Sequence, residues 1–168
     1  MTQTQISSNS PNTKKGENVG EERKASFCFR IIDREGKNID LKENEYTIGR
    51  EPTKNKIVID EFYNMVSRQH AVIDLHGNKC TFTDLPTSSN GSYYQHPDGE
   101  KVDPTGKRWR RLINNAPYQI EKNTIIRLGG PYSKPESSEW ICEIEIVKAD
   151  YSERGVTRKP ESDRNKSV

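Results

Sequence analysis

The sequence predicts an all-β domain, an antiparallel β-sandwich or barrel, flanked by two polar tails. Three observations carry that prediction. Short apolar runs, alternating or β-branched, recur at close spacing through the middle of the chain. Gly, Asn, Asp and Pro punctuate them as turn signals. No stretch carries the i, i+3, i+4, i+7 apolar stripe of a helix over several turns.

The elements follow in order. Phe27, Phe29 and Ile31 alternate with Cys28, Arg30 and Ile32, and the polar stretch Asp33 to Lys37 reads as a turn. Tyr46, Thr47 and Ile48 form a strand-like run that stops at Gly49, and Ile57-Val58-Ile59 is a β-branched run. His70 to Leu75 is followed by the turn His76-Gly77-Asn78, and Lys79 to Leu85 alternates cleanly. Tyr93-Tyr94 follows the turn signal Asn90-Gly91, Thr124 to Leu128 ends at Gly129-Gly130, and Trp140 to Val147 is the last strand. Residues 96–117 break the rhythm with three Pro, two Gly and the basic run Lys107-Arg108-Trp109-Arg110-Arg111. They read as a long surface loop or an insertion.

Composition divides the chain. Of 168 residues, 30% are hydrophobic and 31% charged, too polar for a uniformly folded protein of this length. Residues 1–25 and 151–168 are polar and lack apolar periodicity, so they are expected as disordered tails around a domain at 26–150. The net charge of +2 belongs to those tails, which carry +1 and +2, while the body carries −1. A nearly neutral body argues against an extensive nucleic-acid footprint. No run approaches ~18 apolar residues, so no membrane span is expected. The N-terminal stretch has no apolar core of the kind a secretory signal needs. The three cysteines, Cys28, Cys80 and Cys142, have no CxxC spacing and sit in strand-like runs. They read as small core residues of an intracellular protein, cytoplasmic or nuclear, rather than as disulfides or metal ligands.

Three short elements at strand ends carry the chemistry. They are Gly49-Arg50, Ser67-Arg68-Gln69-His70 and Ser89-Asn90-Gly91. Arg50 offers a planar fork of donors that matches phosphate oxygens, and Arg68 offers a second cation. Ser67 and Ser89 offer hydroxyls, and Asn90 has the donor and acceptor needed to pair with another chain's backbone. Gly49 and Gly91 permit tight turns. Converging loops of this kind would make an anion pocket beside a peptide clamp.

The order G-R, S-x-x-H, [ST]-N-G in an all-β context resembles the forkhead-associated (FHA) family, over roughly residues 26–150. Leu128-Gly129 before a last β-run is similar to the family's closing segment. The resemblance implies a β-sandwich of about eleven strands that binds phosphothreonine peptides and has no catalysis of its own. It implies phosphate contacts from Arg50, Ser67 and Arg68, a hydrogen bond near the phosphate from Ser89, and a peptide-backbone clamp from Asn90. His70 is implied as a buttress of the Ser67 loop, and Gly49 and Gly91 as shapers of theirs. The implied partner is a phosphothreonine protein or peptide, a Ser/Thr kinase or its substrate, with no cofactor and no metal. Thr4, Thr13 and Thr157 in the tails would allow self-association once phosphorylated. Met65, two before Ser67, is not the cation some members carry there, so no acidic preference is implied.

Plainer readings stand beside these. Arg50 alone would be an ordinary surface arginine, and Ser67 and Ser89 ordinary turn residues. A Ser67/His70/Asp74 triad fails for want of a nucleophile elbow and because residues three apart on a strand face opposite sides. His76 and His96 lie in turns without ligand spacing. The competing function is a phosphate-independent protein or nucleic-acid contact through the basic 96–117 segment, with Trp109 as its aromatic.

Overall fold

The computed structural model describes residues 26–32, 38–132 and 140–149. The expected tails, the Asp33–Lys37 turn and the tail threonines lie outside the described residues. Within them are twelve strands: β1 Ser26–Ile31, β2 Ile39–Leu41, β3 Glu45–Gly49, β4 Ile57–Val58, β5 Ala71–His76, β6 Lys79–Asp84, β7 Ser92–Gln95, β8 Lys101–Val102, β9 Arg108–Arg111, β10 Pro117–Ile120, β11 Thr124–Leu128 and β12 Cys142–Ala149. They form a β-sandwich. The seven-stranded sheet has the order β2-β1-β12-β11-β7-β9-β8, and the five-stranded sheet β10-β6-β5-β3-β4. Among the described residues no helix is long and apolar enough to cross a membrane.

Alternation explains the layers. A strand sends successive side chains to opposite faces. On β12, Cys142, Ile144 and Ile146 are buried while Glu143 and Glu145 are only partly covered. Phe27 and Phe29 of β1 and Ile126 and Leu128 of β11 complete the inner face of the larger sheet. Ile48, Ile73, Phe82 and Ile120 meet them from the smaller sheet. Cys80 and Cys142 are buried in this core and Cys28 is half-buried, all three as free thiols. Burial pushes the Cys80 thiol up to about 12, so it packs as a small hydrophobe.

The twelve described strands agree with the expected sandwich of about eleven. The structure differs from the sequence expectation at three places. One pair, β3 with β4, is parallel, because the Glu51–Lys56 loop brings the chain back alongside β3 in the same direction. The last strand begins at Cys142 rather than Trp140. The Trp140 N–H donates to Asn64 Oδ1 at 2.8 Å and its carbonyl accepts from Met65 N–H at 3.0 Å, so both backbone groups are committed outside the ladder.

The third difference is the segment 96–117, which is no single loop: it holds β8, β9 and the start of β10. Trp109 there is wholly buried. Its row on β9 pairs with Gln95, and Tyr93, two residues before, pairs with Arg127. Ile126 and Leu128 face the core, so Arg127, Tyr93 and Trp109 lie on the outer face of the larger sheet. There Arg127 stacks 3.9 Å over the Trp109 ring and pairs with Asp103 at 3.0 Å, and Trp109 Nε1–H donates to Asp103 Oδ2 at 3.1 Å. Burial opposes the Asp103 charge, but hydrogen bonds from Thr105, Trp109 and the Lys107 N–H outweigh it and hold the carboxyl at about 2. Gly99 lies so close to the Trp109 backbone that a Cβ would fall 2.4 Å from its nitrogen. The result is a small second core.

Candidate functional site

β3 delivers Gly49 and Arg50 to one end of the sandwich. The Arg68 carbonyl passes so near Gly49 that a Cβ would sit 2.2 Å from its oxygen, which leaves glycine as the residue that fits. Beyond the strand, Arg50 N–H donates to Ser67 O at 3.2 Å and Glu51 N–H to Arg68 O at 3.0 Å. The two motif loops are thus laced together by backbone. Arg50 Nε–H donates to the Val66 carbonyl at 2.5 Å, which aims the guanidinium and leaves its terminal nitrogens unused among the described residues.

The Ser67 loop is braced from beneath. Ser67 N–H donates to His70 Nδ1 at 3.0 Å, which puts the imidazole proton on Nε2. His70 Nε2 lies 3.1 Å from Ser92 Oγ, and Ser92 Oγ–H donates to Asp84 Oδ1 at 2.7 Å. His70, Ser92 and Asp84 are all inaccessible to solvent. Burial pushes the His70 imidazole down to about 4, against a smaller opposing effect of the Gly91 backbone. Burial also raises the Asp84 carboxyl, against hydrogen bonding from Ser92 and the charge of Arg111. His70 is therefore neutral and spends its lone pair on a backbone N–H.

The third loop closes the site. Ser89 N–H donates to Ser67 Oγ at 3.0 Å, and Thr87 Oγ1–H to the Gln69 carbonyl at 2.8 Å. Asn90 Nδ2 donates to Met65 O at 2.9 Å. Gly91 turns the chain with φ 74° and its N–H is held by Ser88 Oγ at 3.1 Å. Its carbonyl accepts from Gly129 N–H at 2.9 Å, tying the loop to the end of β11.

Arg50, Ser67, Arg68, Ser89 and Asn90 come together on one cleft of about 410 Å³, while Gly49, His70 and Gly91 lie behind it and do not line it. Lys54 and Thr87 line it as well, and no lining residue is acidic. Three cations and several hydroxyl and amide groups line this cleft without a carboxylate among the described lining residues, a chemistry that suits an anion. Sequence reasoning passed over Lys54, Thr87 and the braces Ser92, Asp84 and Asn55. Asn55 Nδ2 donates to Glu51 O at 2.8 Å and Arg68 O at 2.7 Å, fastening the loop after β3 to the Ser67 loop. The only local signal for Asn55 is an asparagine in a polar turn, since its Arg68 partner lies 13 residues away.

Among the described residues no three His, Cys, Asp or Glu side chains are placed to hold a metal. Asp74, the third member of the discarded triad, pairs instead with His76 at 3.0 Å. Trp109, the aromatic of the competing nucleic-acid reading, is buried and offers no stacking face to solvent.

A family model for the FHA domain matches residues 46–129, half of the chain. The structure is similar to the FHA domain of the CT664 protein from Chlamydia trachomatis, with TM-score 0.51 and 21% identity over 74% of this chain and 99% of that one. It is similar to the FHA domain of a hypothetical protein from Arabidopsis thaliana, with TM-score 0.53 and 19% identity over 76% and 88% of the two chains. A third similar structure comes from work on phosphothreonine-dependent FHA domain interactions, with TM-score 0.50 and 21% identity over 74% and 98%. No curated protein matches the sequence. At these identities the likeness is one of fold.

Proposed function

The chain belongs to the FHA domain family, and from that premise we propose that its cleft receives phosphothreonine in a partner protein. The observation that carries this reading is the bond from Ser89 N–H to Ser67 Oγ. It occupies an acceptor position of the hydroxyl and leaves the O–H to donate, inside a cleft that holds three cations and no carboxylate. The terminal nitrogens of Arg50 and the hydroxyl of Ser67 take phosphate oxygens. Arg68 and Lys54 add charge from the rim, and Ser89 adds a hydroxyl. Asn90 keeps its carbonyl for a backbone N–H of the ligand while its amide holds Met65. Gly49, His70 and Gly91 support the loops without touching the ligand.

The molecule acts as a binding module in Ser/Thr-kinase signalling inside the cell, and its partner is a kinase or a kinase substrate. His70 is not placed as a base for the Ser67 hydroxyl, because its Nδ1 accepts the Ser67 N–H. Phosphorylated Thr4, Thr13 or Thr157 of another copy is a further ligand of the same chemistry. A similar FHA domain is described as engaging in phosphothreonine-dependent interactions, which supports this reading.

A phosphothreonine carries about −1.5 to −2 charge, and a hydrogen bond to a charged group contributes roughly 1.5–3 kcal/mol. Titration of a degenerate phosphothreonine peptide library and its unphosphorylated twin tests the proposal. Binding by the phosphorylated set alone is expected, and equal binding of both sets refutes it.

A further inference from the structure

We propose that the opposite end of the sandwich holds a second docking site, for an unphosphorylated acidic peptide segment carrying an aromatic or large aliphatic side chain. β7 starts beside the Ser67 cleft at Ser92 and runs to Gln95, and β11 returns from Thr124 to Leu128, after which Gly129 N–H meets the Gly91 carbonyl. The Gln95 and Thr124 ends are therefore remote from Arg50. There lies a cleft of about 740 Å³, larger than the one around Ser67 and within the range of ligand-binding clefts.

Its wall is aromatic and its rim cationic. The rings of Tyr94 and Tyr118 pack 4.6 Å apart, and His96 meets Tyr94 edge-on at 5.7 Å. Both tyrosines are half-buried, so a face of apolar carbon stays open to a ligand. Lys107, Arg108 and Lys122 line the same cleft, all three exposed. The frame is fixed. His96 N–H donates to Arg108 O at 3.1 Å, and Arg108 Nη1 donates to Gly99 O at 3.3 Å. Behind β9 the hairpin is pinned by Trp109 on Asp103.

Charge selects the occupant. Three cations face one lining carboxylate, Asp98, with Glu121 near Tyr118. That compact excess suits two or three carboxylates. A polyphosphate backbone needs a cationic track, and the body of the chain has a net charge of −1. The basic run Lys107–Arg111 thereby acquires a use: strand alternation sends Arg108 toward the cleft and Trp109 to the far face. This site is independent of the phosphothreonine reading and of Arg50.

Fluorescence anisotropy on the full chain tests it. The probe is a labelled peptide with Glu and Asp around a central Phe, and its control replaces them with Gln and Asn. The acidic peptide is expected to bind at least about tenfold tighter than its control, the scale of a few solvent-exposed ion pairs. The triple variant K107E/R108E/K122E is expected to abolish that difference, and Arg50→Ala to preserve it. Thermal unfolding verifies that the triple variant is folded, and K107E or K122E alone replaces it otherwise. Equal binding of the two peptides overturns the proposal, as does loss of acidic-peptide binding in Arg50→Ala. A single-stranded oligothymidine that binds tighter than the peptide and is lost in the triple variant overturns it in favour of nucleic acid.

Discussion

Arg50 and Arg68 stand in loops at one end of the sandwich, whereas Arg108 and Arg110 stand on β9, and the two pairs are held by different means. The loop pair depends on buried polar chemistry: His70, Ser92 and Asp84 beneath Ser67, and Asn55 across to Arg68. The strand pair depends on alternation and on one aromatic, Trp109, closed under Arg127. A site made of loops has only a few backbone bonds, such as Arg50 N–H to Ser67 O and Glu51 N–H to Arg68 O, and draws the rest of its rigidity from hydrogen bonds to side chains. A site made on a strand inherits rigidity from the sheet. Damage to the braces of the first region should therefore appear in ligand binding and pH response, and damage to the Trp109 frame of the second in stability.

The sharpest way to break that contrast is Trp109→Ala. Removing a buried aromatic should cost about 3–5 kcal/mol in urea unfolding, whereas Lys107→Ala beside it should stay within about 0.5 kcal/mol. A small effect at Trp109 would return the segment to a solvated loop.

Acid is the next largest lever, and it acts on the loop region. His70 has its pKa near 4 in the fold against 6.5 when free, so the unfolded chain takes this proton first. The stabilisation is complete above pH 6.5 and is lost as pH falls toward 4, by up to about 3 kcal/mol. Asp84, raised by burial, works in the opposite sense at the acid end of this window and returns part of the loss. Urea midpoints at pH 7 and pH 4.5 measure the slope, and His70→Gln should flatten it.

Arg50→Ala should weaken phosphothreonine peptide binding by about 1.5–3 kcal/mol, tenfold or more by calorimetry. Stability should fall by about 1–2 kcal/mol, for the lost part-buried bond to Val66. The smallest effect belongs to the rim. Lys54→Ala should cost about 0.2–1 kcal/mol of binding and nothing in high salt, as an exposed charge does. A loss at Lys54 equal to that at Arg50 would mean that the phosphate sits further out over the rim.

Much of this architecture is legible in the chain. Phe27/Phe29, Ile48, Phe82 and Ile126/Leu128 announce their strands because burial on one face enforces period two. The three loop motifs are legible because arginine, serine and glycine are needed there for local geometry and donors. What cannot be read locally is tertiary pairing. Asp84 looks like the polar end of a strand, and only the fold shows it under Ser92. Trp109 looks exposed among arginines and lysine, since Arg127 and Asp103 approach from other rows. Trp140 looks like a strand residue, but Asn64 and Met65 claim its backbone.

The short link between Ser89 N–H and Ser67 Oγ also governs timing. With the loops already joined, capture on the proposed reading requires no folding step before the phosphate can seat. Association is then set by diffusion and by the field of Arg50, Lys54 and Arg68, so added salt slows arrival. Residence depends on contacts closed off from ions and responds far less. A receptor of this kind samples its partners rapidly and lets bond lifetime discriminate among them.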